Sequence, residues 1–151
     1  VKTLRWISAL SFTLLLQSAH AAKPLATAFQ LLDKADQQAL LQLPAETLKS
    51  ARNEFGESVL IRAIVTEKYE IAKALLKAKM ADVTVIDQSR NDALLYAVGQ
   101  GQFEIVQLLI DQGAILDRTY GEDKENIAFE AARMGDEKML TLLGKARPQL
   151  L

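Results

Sequence analysis

Chemistry in this chain would have to come from carboxylates, because the other usual groups are nearly absent. There is no cysteine, so thiolate nucleophiles and thiolate metal sites are closed, and His20 is the only histidine. Glu122, Asp123 and Glu125 cluster within four positions, an arrangement of oxygen ligands that suits a hard cation such as calcium. Their spacing does not follow an EF-hand loop, and Lys124 sits among them, so a solvated loop is the simpler reading. Gly56-Glu57-Ser58 begins like a nucleophile elbow, but Leu60 stands where the second glycine belongs. Gly99-Gln100-Gly101 lacks the third glycine and the preceding strand of a dinucleotide loop and reads as a helix-to-helix turn. No catalytic residue, metal site or cofactor is assigned, and the expectation is a protein that is not an enzyme. The alternative from another class is a metal-assisted hydrolase using Glu122, Asp123 and Glu125.

The elements that would position any site begin after residue 21. Lys2 and Arg5 precede the uncharged run Trp6–Leu16, and Ala19-His20-Ala21 offers small residues where a signal peptidase reads. The run is shorter than the roughly 20 residues a membrane span needs. The expectation is an export signal over residues 1–21 and a mature chain located in the periplasm, with secretion as the alternative. Val1 in the first position suggests a non-standard start codon and hence a bacterial chain. Cleavage removes Lys2 and Arg5 with no acid, taking the net charge from −1 to −3, and removes the only histidine and the only tryptophan. The mature chain then stands on packing without disulfides. Its interspersed, mildly acidic charge lacks the basic stripe of a nucleic-acid binder.

Half of all residues are apolar, enough for one sizeable core. The apolar positions recur with a period of 34: Ala63, Ala97 and Ala131 fall in step, as do Glu67, Gly101 and Gly135, then Ile71, Ile105 and Met139, then Leu75, Leu109 and Leu143. Self-similarity at this period marks a stack of supersecondary units. Short helices are predicted over Val59–Thr66, Tyr69–Ala78, Ala93–Gly99 and Phe103–Asp111, with Ser58, Asp92 and Asn126 as N-caps. The last unit places Ile127, Ala131, Ala132, Met139, Leu142 and Leu143 inward. Upstream, Leu25, Phe29 and Leu32 share a helical face, and Asp36 caps a second segment that Pro44 ends.

These residues resemble the ankyrin repeat, whose T-P-L-H-x-A start reads here as S-V-L-I-R-A at Ser58–Ala63, D-A-L-L-Y-A at Asp92–Ala97 and N-I-A-F-E-A at Asn126–Ala131. E-I-A-K-A-L-L at Glu70–Leu76, E-I-V-Q-L-L-I at Glu104–Ile110 and L-L-I-D-Q-G-A at Leu108–Ala114 match the second helix and its stop. The family's threonine and histidine are absent, proline is replaced by Val59, Ala93 and Ile127, and Glu67 holds a turn-glycine position. Those departures bear on the hairpin tips more than on the helices. The resemblance implies an all-α solenoid of about four helix-turn-helix units, over residues 22–52, 53–86, 87–120 and 121–151, the first and last acting as caps.

The resemblance further implies a protein partner bound on the concave face of tips and first helices, and a monomer that stays out of the membrane after cleavage. Carried over by position, the tip residues are Glu54, Phe55, Gln88, Ser89, Tyr120 and Glu122. The first-helix residues are Arg62, Val65, Thr66, Tyr96, Gln100, Glu130 and Arg133, with Arg62, Tyr96 and Glu130 as one row. The plainer reading has Tyr96 shielding the stack and Arg62 pairing across repeats with the neighbours of Glu130. Some exported bacterial relatives are associated with periplasmic catalase and peroxide defence, so assistance to a stress-defence enzyme is one expectation. Neutralisation of a toxin delivered to the periplasm is the other.

Overall fold

A computed structural model describes residues 26–150. The expected export signal, its cut after Ala21 and the inward placing of Leu25 lie outside the described residues. Four antiparallel helical pairs follow one another: α1 (26–33) with α2 (Gln37–Leu41), α4 (Val59–Val65) with α5 (Tyr69–Lys77), α6 (Ala93–Gly99) with α7 (Phe103–Asp111), and α8 (Ile127–Arg133) with α9 (Glu137–Ala146). An extra short helix, α3 (Ala45–Ser50), stands between the first two pairs, and a 3₁₀ turn, Pro148–Leu150, closes the described chain. First helices stack α4 on α6 on α8, and α5 packs on α7.

Paired helices of five to ten residues are too short to persist alone, so their apolar faces must be covered by neighbours. The alanines at 63, 97 and 131 are fully buried, and the small side chain lets first helices approach closely. Leu75, Leu109 and Leu143 line the second helices behind them, also fully buried. Ala132, expected inward, is exposed, because no later pair among the described residues lies over α8.

One turn recurs between the paired helices. The Glu67 N–H donates to the Ile64 carbonyl and the Lys68 N–H to the Ala63 carbonyl; Gly101 and Gln102, then Gly135 and Asp136, repeat the pattern. This is a Schellman closure, which needs a left-handed residue. Gly101 and Gly135 supply φ of 66° and 69°, and Glu67 reaches 59° despite its side chain. Ala35 does the same at 55°, with its N–H on Leu32 and that of Asp36 on Leu31. The first unit therefore carries the same turn, but its second helix breaks at Gln42. α2 ends ahead of Pro44, as expected, and Pro44 also stands at the N-cap position of α3.

The tips form without the family's threonine. Ser58, Asp92 and Asn126 accept hydrogen bonds from the N–H groups of Ile61, Leu95 and Phe129, at 3.1, 3.0 and 3.0 Å. Neighbouring tips are joined, the Gln88 N–H donating to the Phe55 carbonyl and Gln88 Nε2 to the Glu54 carbonyl. The last tip is a small hairpin, β1 (Thr119–Tyr120) paired with β2 (Glu125–Asn126). Tyr120 is not an exposed tip residue: it is 7% exposed, and its hydroxyl donates to Asp92. Asp92, 1% exposed, also lies 2.9 Å from Arg118 Nε, while Arg118 Nη2 donates to the Thr84 carbonyl. That contact is ionic, with the Nε–H angled away from the carboxylate. Burial and the Asp92 charge push the Tyr120 phenol well above its ordinary range, so it stays a donor.

On the second-helix side, α5 and α7 are joined by charges. Lys73 Nζ lies 2.6 Å from Glu70 and 3.3 Å from Glu104, and Lys77 Nζ lies 2.8 Å from Glu104. Gln112 Nε2 donates to the Leu76 carbonyl at 2.8 Å, a second bond on an acceptor that the Lys79 N–H already uses at the end of α5. Hydrogen bonds from Lys77 and then Lys73 hold the Glu104 carboxyl below its ordinary range.

Three outcomes follow. Glu67→Gly should stabilise the fold and Gly101→Ala destabilise it, each by about 1 kcal/mol in urea unfolding, because only the left-handed turn separates them; equal stabilities would remove the strain argument. Asp92→Ala should cost about 3 kcal/mol, since it strands Arg118 and Tyr120 and uncaps α6; a loss no larger than that of a surface substitution would count against the buried cluster. Because the folded pKa of Glu104 is depressed, its contribution is present above the unfolded carboxylate range and is lost as pH falls through the folded value. The melting-temperature gap between the parent and Glu104→Gln should thus close on acidification through about pH 4, and narrow with added salt.

Candidate protein-binding surface

The tips and first helices carry three recesses along one side of the stack. The first, of about 460 Å³, is lined by Phe29 and Asp33 of α1, by Arg52, Asn53, Glu54 and Phe55 of the first tip, and by Arg62 of α4. Its tip is locally fixed. Asn53 Oδ1 accepts from the N–H groups of Phe55 and Glu57, and Asn53 Nδ2 donates to Glu57 Oε2 at 2.6 Å. This side-chain turn holds Phe55 outward, 53% exposed. Arg52 Nη1 donates to the carbonyls of Lys49 and Ala51, both at 2.7 Å. Burial lowers the Arg52 pKa, with Asp82 acting against it. Arg62 contacts the buried Glu57 at 3.4 Å. Sequence reasoning placed Glu54, Phe55 and Arg62 here; it missed Phe29, Asp33, Arg52 and Asn53, although the asparagine two residues before Phe55 was a readable turn signal.

In the middle of the row Tyr96 is occupied internally. Its hydroxyl donates to Asp87 Oδ2 at 2.6 Å and accepts from Asn91 Nδ2 at 3.3 Å. Burial, then the bond to Asp87, raises its pKa. Gln88 is spent on joining tips, while Ser89 is exposed beside Arg90. Gln100 turns its Oε1 into the protein, buried and without a hydrogen-bond partner among the described residues. Val65 packs against the core, and Thr66 Oγ1 donates to the Arg62 carbonyl.

Glu130 and Arg133 close the row and pair with each other on α8, Arg133 Nη2 and Nε lying 2.6 and 3.0 Å from the carboxylate. The Glu130 carboxylate reaches over Gly99, where a Cβ would lie 3.0 Å from Oε1. A recess of about 150 Å³ beside Glu130 is lined by Asn91, Leu95, Tyr120, Gly121, Glu125, Asn126 and Glu130. Another, of about 390 Å³, runs from Ser89 and Arg90 to Glu122 and Lys124. Arg62, Tyr96 and Glu130 do occupy equivalent places, but each is bound to a partner of its own; Arg62 pairs with Glu57 rather than near Glu130. Glu122, Asp123 and Glu125 are all exposed, and among the described residues no three acidic or histidine side chains are grouped to hold a metal ion. No described helix is long and apolar enough to cross a membrane.

A family model for ankyrin repeats, in three copies, matches residues 13–119 and 60–149. Inversin from Gallus gallus is 36% identical over 77 residues, 50% of this chain but 7% of that protein, so the chain corresponds to a small part of its length. An ankyrin repeat domain from Acinetobacter baumannii superimposes with a TM-score of 0.69 at 27% identity, covering 80% of this chain and 61% of that one. The matched residues span all the paired helices described above, and such repeats are in general non-catalytic modules for protein–protein interaction. The chain belongs to the ankyrin-repeat family.

Proposed function

We propose that the protein is an exported, periplasmic binding module without chemistry of its own, which takes a protein partner on its tip and first-helix face. The observation that carries this is the recess around Phe55: an aromatic ring 53% exposed on a hydrogen-bonded tip, beside two arginines and opposite Phe29. Rigid aromatic and arginine side chains are frequent anchors at interfaces, because they bury much area with little ordering cost. The Arg62–Glu57 contact and the two carbonyls on Arg52 hold both guanidinium groups in place before a partner arrives.

The address rests on the basic start, the apolar run Trp6–Leu16 and the small residues Ala19 and Ala21. We place the partner among periplasmic proteins, a stress-defence enzyme being the first candidate; the mature charge of −3 is too small to favour a strongly basic toxin.

Two measurements check this. Residues 1–21 fused to alkaline phosphatase should give activity, which requires an oxidising compartment; an inactive fusion would withdraw the periplasmic assignment. In a crosslinking capture from intact periplasm, Phe55→Ala/Arg62→Ala should lose the partner that the parent retains, at an unchanged circular dichroism spectrum. Tyr96→Phe should keep it while costing about 1 kcal/mol of stability through the lost bond to Asp87. A partner kept by the double variant would move the site off this recess.

A further inference from the structure

The second-helix side carries a groove that the proposed recognition face does not use. It lies between α7 and α9, has a volume of about 440 Å³, and is lined by Phe103 and Gln107 on one side and Glu137, Lys138, Thr141, Leu142 and Lys145 on the other. Its origin is visible in the repeat register. Between α5 and α7, Glu104 pairs with Lys73 and Lys77, and Gln112 donates to the Leu76 carbonyl. One repeat later the position of Glu104 is Lys138, that of Lys73 is Gln107, that of Lys77 is Asp111, and that of Gln112 is Ala146. An Asp111–Lys138 pair would restore one link, but Asp111 accepts from Gln107 Nε2 at 2.8 Å instead. Every polar link of the preceding interface is thus missing, and α7 and α9 touch less than α5 and α7 do.

What the gap bares is specific. Phe103 is 45% exposed, whereas Tyr69, one repeat earlier, is partly covered against the core. Lys138 and Lys145 lie seven residues apart on one face of α9, both exposed, with no carboxylate partner among the described residues. Glu137, at the first turn of α9, is the one acid in the lining. An apolar floor of Phe103 and Leu142 between two unpaired ammonium groups has a chemical complement: a large apolar side chain flanked by carboxylates.

We infer that the α7–α9 groove is a second docking site, which takes an acidic, amphipathic segment of a partner protein. The apolar side chain would cover Phe103 and Leu142, and its neighbouring carboxylates would meet Lys138 and Lys145. The site is independent of the Phe55 recess on the other face, and either can stand without the other.

The probe is a blocked helical peptide of about 12 residues, three turns of helix, with phenylalanines four positions apart flanked by glutamates. Its binding is followed by amide shifts in the whole protein. The expected result is saturable shifts confined to α7 and α9, weakened by added salt. Lys138→Glu/Lys145→Glu should weaken the affinity about tenfold, the effect of losing two partly exposed ion pairs, and Phe103→Ala at least as much. All three residues are exposed, and unchanged spectra elsewhere would confirm that the variants fold. Equal binding by the charge-reversed protein, equal binding of a peptide with lysine in place of glutamate, shifts on the tips and first helices, or no saturable shifts would each overturn the site.

Discussion

Every described helix in this protein depends on a neighbour. The paired helices after the first unit run from seven to ten residues, below the length at which an isolated helix holds in water. Their stability comes from the faces they share, so each unit is a condition for the next, as in any stack with nearest-neighbour coupling. The constraint reaches down to single atoms. First helices can lie close because positions 63, 97 and 131 are alanine, and each hairpin is set at its angle by one left-handed residue. That geometry is strong enough to force Glu67 and Ala35 into a conformation that glycine adopts elsewhere in the same chain.

The helices were legible because burial follows a period. Ala93–Gly99 and Phe103–Asp111 appear with the bounds their spacing predicts, and Val59–Val65 and Tyr69–Lys77 differ by one residue each. The caps were legible for a local reason: serine, aspartate and asparagine can all accept the N3 amide, so loss of the family's threonine costs the tip little. Long-range bonds were not legible. Nothing around Tyr120 announces that its ring turns inward to an aspartate 28 positions away, and Asp92 read only as a cap although it also holds Tyr120 and Arg118. The first unit defeated the pattern differently: its turn is 32 residues from the next, so the fixed period passes over it.

The candidate surface shows the same division. Register correctly put Arg62, Tyr96 and Glu130 in equivalent places, yet register says nothing of what each side chain does once there. Tyr96 serves Asp87, Glu130 serves Arg133, and Arg62 serves Glu57. Phe55 differs because its backbone is held by Asn53 while its ring stays exposed in a recess shared with Phe29. An exposed aromatic on a tethered backbone bears the cost of ordering in advance, which is what makes it a better anchor than a row of already paired polar groups.

Coupling between units is uneven, and the unevenness has a direction. Units two and three are joined on both sides of the stack, by Gln88 at the tips and by Glu104 and Gln112 at the second helices. Between units three and four, the buried Asp92 holds Tyr120 and Arg118, and Tyr120 pairs as a strand with Glu125 of the last tip, while the second helices share no ion pair among the described residues. The last unit is therefore fixed along the tip edge, and on the other side it is held at the end of α9, where Arg147 pairs with Asp117, but not along α7 and α9. Four positions differ one repeat on, with Lys138, Gln107, Asp111 and Ala146 standing where Glu104, Lys73, Lys77 and Gln112 stood, and together they leave that seam without the polar links of the one before it. Stacking fixes where the helices lie; the charges decide which of the seams between them stay closed.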